Sequence, residues 1–135
     1  MIKPELILVD DDPDDIYLLE SVCEELESPP KLTTFTNGSD FLYYARNQDR
    51  LNSLILLDLN MPNLSGLDVL KQLKAENKVN LFYIIVYTTS KNDKDIADAM
   101  SQGAKSFICK PDTKLEIKQL ITNLLDYWYN TNVRM

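Results

Sequence analysis

The sequence predicts an α/β domain: a doubly wound sheet of five parallel strands with five flanking helices. Short continuous apolar runs, of a length that suits strands buried on both faces, recur along the chain. Amphipathic stretches with recognisable N-caps separate them, and this alternation implies parallel strands joined by right-handed crossovers. Acids and other polar residues follow several of the runs at once, at the carboxyl ends of strands, where open α/β sheets place their ligands.

The first strand is Glu5-Leu6-Ile7-Leu8-Val9, and it runs into Asp10-Asp11-Asp12-Pro13-Asp14-Asp15. Asp12 suits an N-cap and Pro13 the first helical position, while Asp14 and Asp15 favour the positive end of the helix dipole. Capping therefore accounts for Asp12, Asp14 and Asp15, but not for Asp10 and Asp11, which precede the cap. The helix is expected to run to about Glu27, with Ile16, Leu19, Val22, Cys23 and Leu26 as its apolar stripe, and Pro29-Pro30 ends it.

Leu32–Thr36 is shorter and more polar and reads as an edge strand. Asn37-Gly38 is a turn signal, after which Ser39 is expected to cap a helix carrying Phe41, Leu42, Tyr44 and Ala45 inward. Asp49 to Ser53 is expected to loop into the central strand, Leu54-Ile55-Leu56-Leu57. That strand surfaces in Asp58, and the punctuated loop Asn60-Met61-Pro62-Asn63-Leu64-Ser65-Gly66 opens a third helix bearing Leu67, Val69, Leu70 and Leu73. Phe82–Tyr87 is the fourth strand, leading to Thr88-Thr89-Ser90 and a helix through Ile96, Ala97 and Met100 that Gly103 closes. Ser106–Cys109 is the fifth strand, stopped by Lys110-Pro111. A last helix begins near Asp112, carries Leu115, Ile117, Leu120, Ile121, Leu124 and Leu125, and extends towards Trp128. Five such units suit the flavodoxin-like strand order 2-1-3-4-5.

Composition narrows the chemistry. A chain of 135 residues, 44% hydrophobic and 26% charged, is expected to be one domain spanning 1–135. No apolar run reaches membrane-spanning length and no signal peptide is recognisable ahead of the first strand, so neither a membrane partner nor export is expected. The net charge of −7 argues against a nucleic-acid partner. Cys23 and Cys109 form no CxxC pair and are expected as free thiols in a reducing cytoplasm. The absence of histidine excludes Ser-His-Asp and Cys-His catalysis and any histidine-bound metal, leaving oxygen-bound Mg²⁺, Mn²⁺ or Ca²⁺.

The residues that end the strands form a set. Asp10 and Asp11 follow strand one, Asp58 strand three, Thr88 strand four and Lys110 strand five, all on one edge of a parallel sheet. In the 2-1-3-4-5 order, strands one and three flank the topological switch point. Like charges 4 Å apart repel by about 1 kcal/mol in water and about 4 kcal/mol at an effective dielectric of 20. A hard divalent cation and Lys110 would offset that repulsion. The set therefore suits an acidic Mg²⁺ site that takes a phosphoryl group, with Asp58 as nucleophile, Lys110 on the phosphoryl oxygens and the Thr88 hydroxyl as a donor.

Four motifs, Leu8-Val9-Asp10-Asp11, Leu57-Asp58-Leu59-Asn60-Met61-Pro62 with Gly66, Tyr87-Thr88-Thr89-Ser90 and Phe107-Ile108-Cys109-Lys110-Pro111, resemble those of the receiver domain of two-component response regulators, in its stand-alone, chemotaxis-regulator-like form. The resemblance covers almost the whole chain. It implies that Asp58 accepts a phosphoryl group from a histidine kinase or histidine phosphotransfer protein, and that Asp10, Asp11, Asp58 and the Asn60 carbonyl hold Mg²⁺, with Mn²⁺ as a substitute. It also implies that Thr88 and Phe107 are a switch pair, that Lys110 pairs with the phosphate, and that the bond to Pro111 is cis. The output is then a downstream protein met through helix 4, strand 5 and helix 5, by a monomer or a phosphorylation-dependent dimer. With no histidine of its own, the chain is the acceptor half of a relay and a switch rather than an enzyme with turnover.

A haloacid-dehalogenase-type phosphatase shares a strand-end Asp, a Thr or Ser, a Lys and Mg²⁺, but needs a second Asp where Asn60 stands. A flavin carrier would find its phosphate repelled by Asp10-Asp11-Asp12, and a phosphorylation-independent adaptor would not need the complete set of acids, hydroxyl and lysine. Asp14 and Asp15 read as capping or solvated residues.

Overall fold

The strands β1 (Glu5–Val9), β2 (Lys31–Phe35), β3 (Leu54–Leu57), β4 (Tyr83–Thr88) and β5 (Ser106–Cys109) pair in parallel in the order β2-β1-β3-β4-β5. This is the sheet the sequence predicts. The computed structural model describes residues 4–48 and 53–131, so most of the expected Asp49–Ser53 loop lies outside the described residues.

The continuous apolar runs exist because both faces of the sheet are covered. Ile7, Val9, Ile55, Leu57, Ile84 and Val86 point to one side and pack under α2 (Gly38–Arg46), α3 (Gly66–Ala75) and α4 (Asp93–Ser101). Their strand neighbours Leu6, Leu8, Leu54, Leu56, Ile85 and Tyr87 point to the other side, under α1 (Pro13–Glu24) and α5 (Lys114–Leu125). Each fully buried Leu or Ile contributes about 1.5–3 kcal/mol of transfer free energy, so the strand ends are carried on the buried core of the molecule. β2 and β5, at the edges, are only half-buried, as the polar Thr33 and Thr34 of β2 foretell.

Helix starts follow the capping chemistry, with local corrections. Asp12 caps α1 and accepts from the Asp14 N–H at 2.9 Å, with Pro13 at the first position. α1 stops at Glu24 rather than Glu27. Glu24, Glu25 and Glu27 sit at the negative end of the helix dipole, and the chain turns and bends through residues 25–28 before Pro29-Pro30, where a helix could not continue. α2 is capped by Asn37, whose side chain accepts from the Asp40 N–H at 2.8 Å, and not by Ser39. The Asn-Gly pair is thus a helix entry rather than a separate turn. β4 begins at Tyr83, because Phe82 leaves a 3-10 turn at Val79–Leu81. In α4, Ala99 is the buried residue and Met100 lies exposed. Gly103 does close α4, with φ +104°.

α5 starts at Lys114, capped by Thr113. It passes into a π-helical turn, Asp126–Thr131, which brings Trp128 against the Tyr83 ring at 4.4 Å and Tyr129 over the start of β1. The Tyr129 hydroxyl accepts from the Glu5 N–H at 2.9 Å and donates to the Glu5 carbonyl at 2.7 Å. Both cysteines are free thiols. Burial pushes the Cys23 thiol up to about 11, which keeps it protonated and inert. No described helix is long and apolar enough to cross a membrane.

Candidate functional site

The sheet's own hydrogen bonds carry the site residues one step past the strands. The Asp58 N–H donates to the Val9 carbonyl at 3.0 Å, and the Asp10 N–H to the Phe35 carbonyl at 3.0 Å. Asp10 and Asp58 therefore leave neighbouring central strands side by side. The Lys110 N–H donates to the Thr88 carbonyl at 2.7 Å and sets the lysine beside β4 in the same way. The predicted strand-end residues Asp10, Asp11, Asp58, Thr88 and Lys110 are thereby brought to one edge of the sheet.

The Lys110 ammonium is the hub. It lies 2.7 Å from Asp10 Oδ2, 2.7 Å from Asp15 Oδ2 and 3.5 Å from Asp58 Oδ2, with its side chain only 8% exposed. Burial pulls its pKa down, but the hydrogen bonds to Asp10 and Asp15 and the charges of Asp58 and Asp10 outweigh that, and the net direction is up. The group stays charged throughout the physiological range. Its Nζ also sits 5.8 Å from the centre of the Tyr87 ring, within cation–π range. Burial is the main influence on the Tyr87 phenol, which is pushed up to about 12.

Asp10 is 0% exposed. Burial pushes its carboxyl up to about 6, despite hydrogen bonds from Lys110 and from the Asp12 N–H, the latter at 2.9 Å. Asp58 is 5% exposed and accepts from the Asn60 N–H at 3.3 Å on Oδ1, which leaves Oδ2 towards the lysine. Asp11 is exposed and lies at the mouth of the site.

The loop after Asp58 is shaped by close approach. A Cβ on Gly66 would stand 2.2 Å from the Asp58 carbonyl oxygen, so no other residue fits while the loop folds back to seat the Asp58 backbone. The Gly66 N–H closes that fold by donating to the Leu59 carbonyl at 3.0 Å, and Asn63 supplies a left-handed residue at φ 68°. Ser65 and Asp68 then form a reciprocal capping box that starts α3.

Thr88 is buried, and its Oγ1 accepts from Asn60 Nδ2 and from the Ser90 N–H, each at 3.5 Å. Ser90 Oγ in turn donates to Asp95 Oδ2 at 2.7 Å, tying the loop to the first turn of α4. Phe107 pairs with Val86 across the β4–β5 ladder and is half-buried against the core. Two expectations need correction. The Lys110–Pro111 bond is trans, not cis. Asp15 is not merely a capping or solvated residue, since it holds Lys110. Its position on the inner side of α1, one turn from Leu18 and Leu19, was the available signal, but its partner lies 95 positions away.

One carboxylate oxygen from each of Asp10, Asp11 and Asp58 lies within 4.8 Å of the others. The donors are all hard oxygens, two buried and one at the mouth, and among the described residues neither histidine nor cysteine joins them. That set fits a hard divalent cation and not a thiolate- or imidazole-preferring one.

Comparison with known proteins agrees with the geometry. A family model described as the response regulator receiver domain matches residues 6–122. The probable methanogenesis regulatory protein FilR2 of Methanothrix harundinacea (strain 6Ac) is 28% identical over 131 residues, 94% of this chain and 84% of that protein. The crystal structure of the phosphorylated cyanobacterial phytochrome response regulator RcpA superposes with a TM-score of 0.84 at 26% identity, over 98% of both chains. Response regulator RPA3017, of red light signaling in R. palustris, gives a TM-score of 0.83 at 28% identity over 96% of both chains. With its sheet order, its strand-end acids and its lysine, the chain belongs to the response regulator receiver domain family.

Proposed function

We propose that Asp58 accepts a phosphoryl group from a phosphohistidine of a histidine kinase or histidine phosphotransfer protein, in a Mg²⁺-dependent reaction that switches binding of a downstream protein. The observation that carries this reading is the convergence of Asp10, Asp11 and Asp58 with a buried ammonium at one strand edge. A phosphorylated form is the one described for RcpA, which supports the reading.

In the transfer, an Asp58 carboxylate oxygen attacks phosphorus. The new P–O bond forms as the P–N bond breaks, and the imidazole nitrogen leaves with the electron pair. The Asn60 N–H holds Oδ1 and orients the carboxylate. Lys110, kept charged, turns its ammonium to the phosphoryl oxygens. Asp11 and Asp58, with Asp10 and the Asn60 carbonyl, would hold Mg²⁺ (or Mn²⁺), which when bound neutralises charge on the phosphoryl oxygens. Thr88 gives up its contacts from Asn60 and Ser90 to donate to a phosphoryl oxygen. Phe107, half-buried at rest, moves inward behind it, and the face of α4, β5 and α5 changes shape. The monomer or a phosphorylation-dependent dimer presents that face in the cytoplasm, without turnover of a separate substrate.

Incubation with Mg²⁺ and acetyl phosphate followed by intact mass measurement tests the proposal. One phosphoryl adduct, abolished in Asp58→Asn and by chelation of the metal, is expected. No adduct, or an adduct that survives Asp58→Asn, overturns it.

A further inference from the structure

The ammonium of Lys110 has three N–H donors, and in the resting structure three carboxylates take them up. Asp10 and Asp15 stand at 2.7 Å and Asp58 at 3.5 Å. The two short contacts come from the β1–α1 segment and the long one from β3, so the lysine rests towards β1 and α1, away from Asp58. Asp10 is fixed in place. It is fully buried and also holds the Asp12 N–H at 2.9 Å. Asp15 differs in kind: it sits in the first turn of α1 with its side chain 36% exposed, and Lys110 is its hydrogen-bond partner among the described residues. Its carboxylate can turn to water at small cost once the lysine leaves.

We propose that Asp15 is a positioning residue that holds Lys110 in the resting place and competes with a phosphoryl group on Asp58 for its ammonium. The inference rests on the phosphoacceptor reading and adds a named competitor to it. When negative charge is added at Asp58, the lysine moves to the phosphoryl oxygens and the Asp15 contact is given up. The same movement releases the first turn of α1 from the β5–α5 loop, so the state of Asp58 is also felt at the start of α1. A charged contact of this kind, with one partner buried and the other partly exposed, shifts an equilibrium by about five-fold.

The test uses beryllofluoride in saturating Mg²⁺, titrated into the full chain and followed by amide NMR. Asp15→Asn, which loses the charge, is expected to bind about five-fold more tightly than the wild type, with the gain set by the loss of one charged contact. Asp15→Glu keeps a carboxylate within reach of Lys110 and is expected to bind like the wild type. Asp14→Asn removes an equal charge from the same helical turn without a contact to Lys110, and no change is expected. The inference is overturned if Asp15→Asn binds no more tightly than the wild type, or if Asp14→Asn tightens binding as much, since bulk charge would then be the cause. A wild type that takes no beryllofluoride while folded overturns the phosphoacceptor reading itself, whereas a wild type that binds and an Asp15→Asn that matches it overturns only the role of Asp15.

Discussion

Asp10 stands buried with its carboxyl pushed from 3.8 up to about 6. In the metal-free protein at neutral pH this ionised group works against the fold. An acid whose folded-state pKa is raised contributes its full stability below the unfolded value, and that contribution is lost as the pH rises through the folded value. A rise of about two units, at 1.36 kcal/mol each, makes the ionised Asp10 cost about 3 kcal/mol at pH 7. Asp10→Asn removes the titration while keeping an oxygen for the Asp12 N–H. The variant is therefore expected to be more stable than the wild type in chelator by about 3 kcal/mol at pH 7, by about half that at pH 5, and by little at pH 4. For a domain of this size the pH 7 difference corresponds to about 10 °C in Tm. Urea unfolding at each pH, followed by far-UV circular dichroism, measures it. A variant no more stable than the wild type at pH 7, or a gap that does not narrow on acidification, refutes the reasoning. Saturating Mg²⁺ is expected to stabilise the wild type more than the variant, because the cation relieves the same buried charge.

Lys110→Ala removes the ammonium that shares Asp10 and Asp58 with the cation, and Mg²⁺ is expected to bind about ten-fold more tightly by titration calorimetry. Gly66→Ala places a Cβ 2.2 Å from the Asp58 carbonyl oxygen, so the loop must open. A loss of about 2–3 kcal/mol in urea unfolding is expected, together with loss of the phosphoryl adduct. Tyr129→Phe deletes both contacts to Glu5. It is expected to cost about 1–2 kcal/mol and to leave phosphorylation unchanged, since the clasp lies at the opposite end of β1 from Asp10.

The strands were legible because a two-faced buried strand must be apolar at every position. Leu54–Leu57 permits no other reading, and each strand announces where its polar tip emerges. Asp10, Asp11, Asp58, Thr88 and Lys110 could be assembled from order alone, since a parallel sheet puts all its carboxyl ends on one edge. Asp15 could not. Its capping position is a local fact, while its bond to Lys110 depends on how α1 lies over the sheet. Asn37 reads as a turn residue for a related reason, because an amide that caps a helix and one that turns a chain carry the same local signature. The π-helical turn after Leu125 left no trace in the apolar periodicity, as the packing of Trp128 against Tyr83 decides it.

Lys110 lies 100 positions after Asp10. A polypeptide leaving the ribosome exposes its acids long before it exposes their counter-charge. Until the fifth strand docks, the growing sheet edge carries uncompensated repulsion between Asp10 and Asp58. Electrostatics therefore opposes closure of that edge until the fifth strand supplies its lysine.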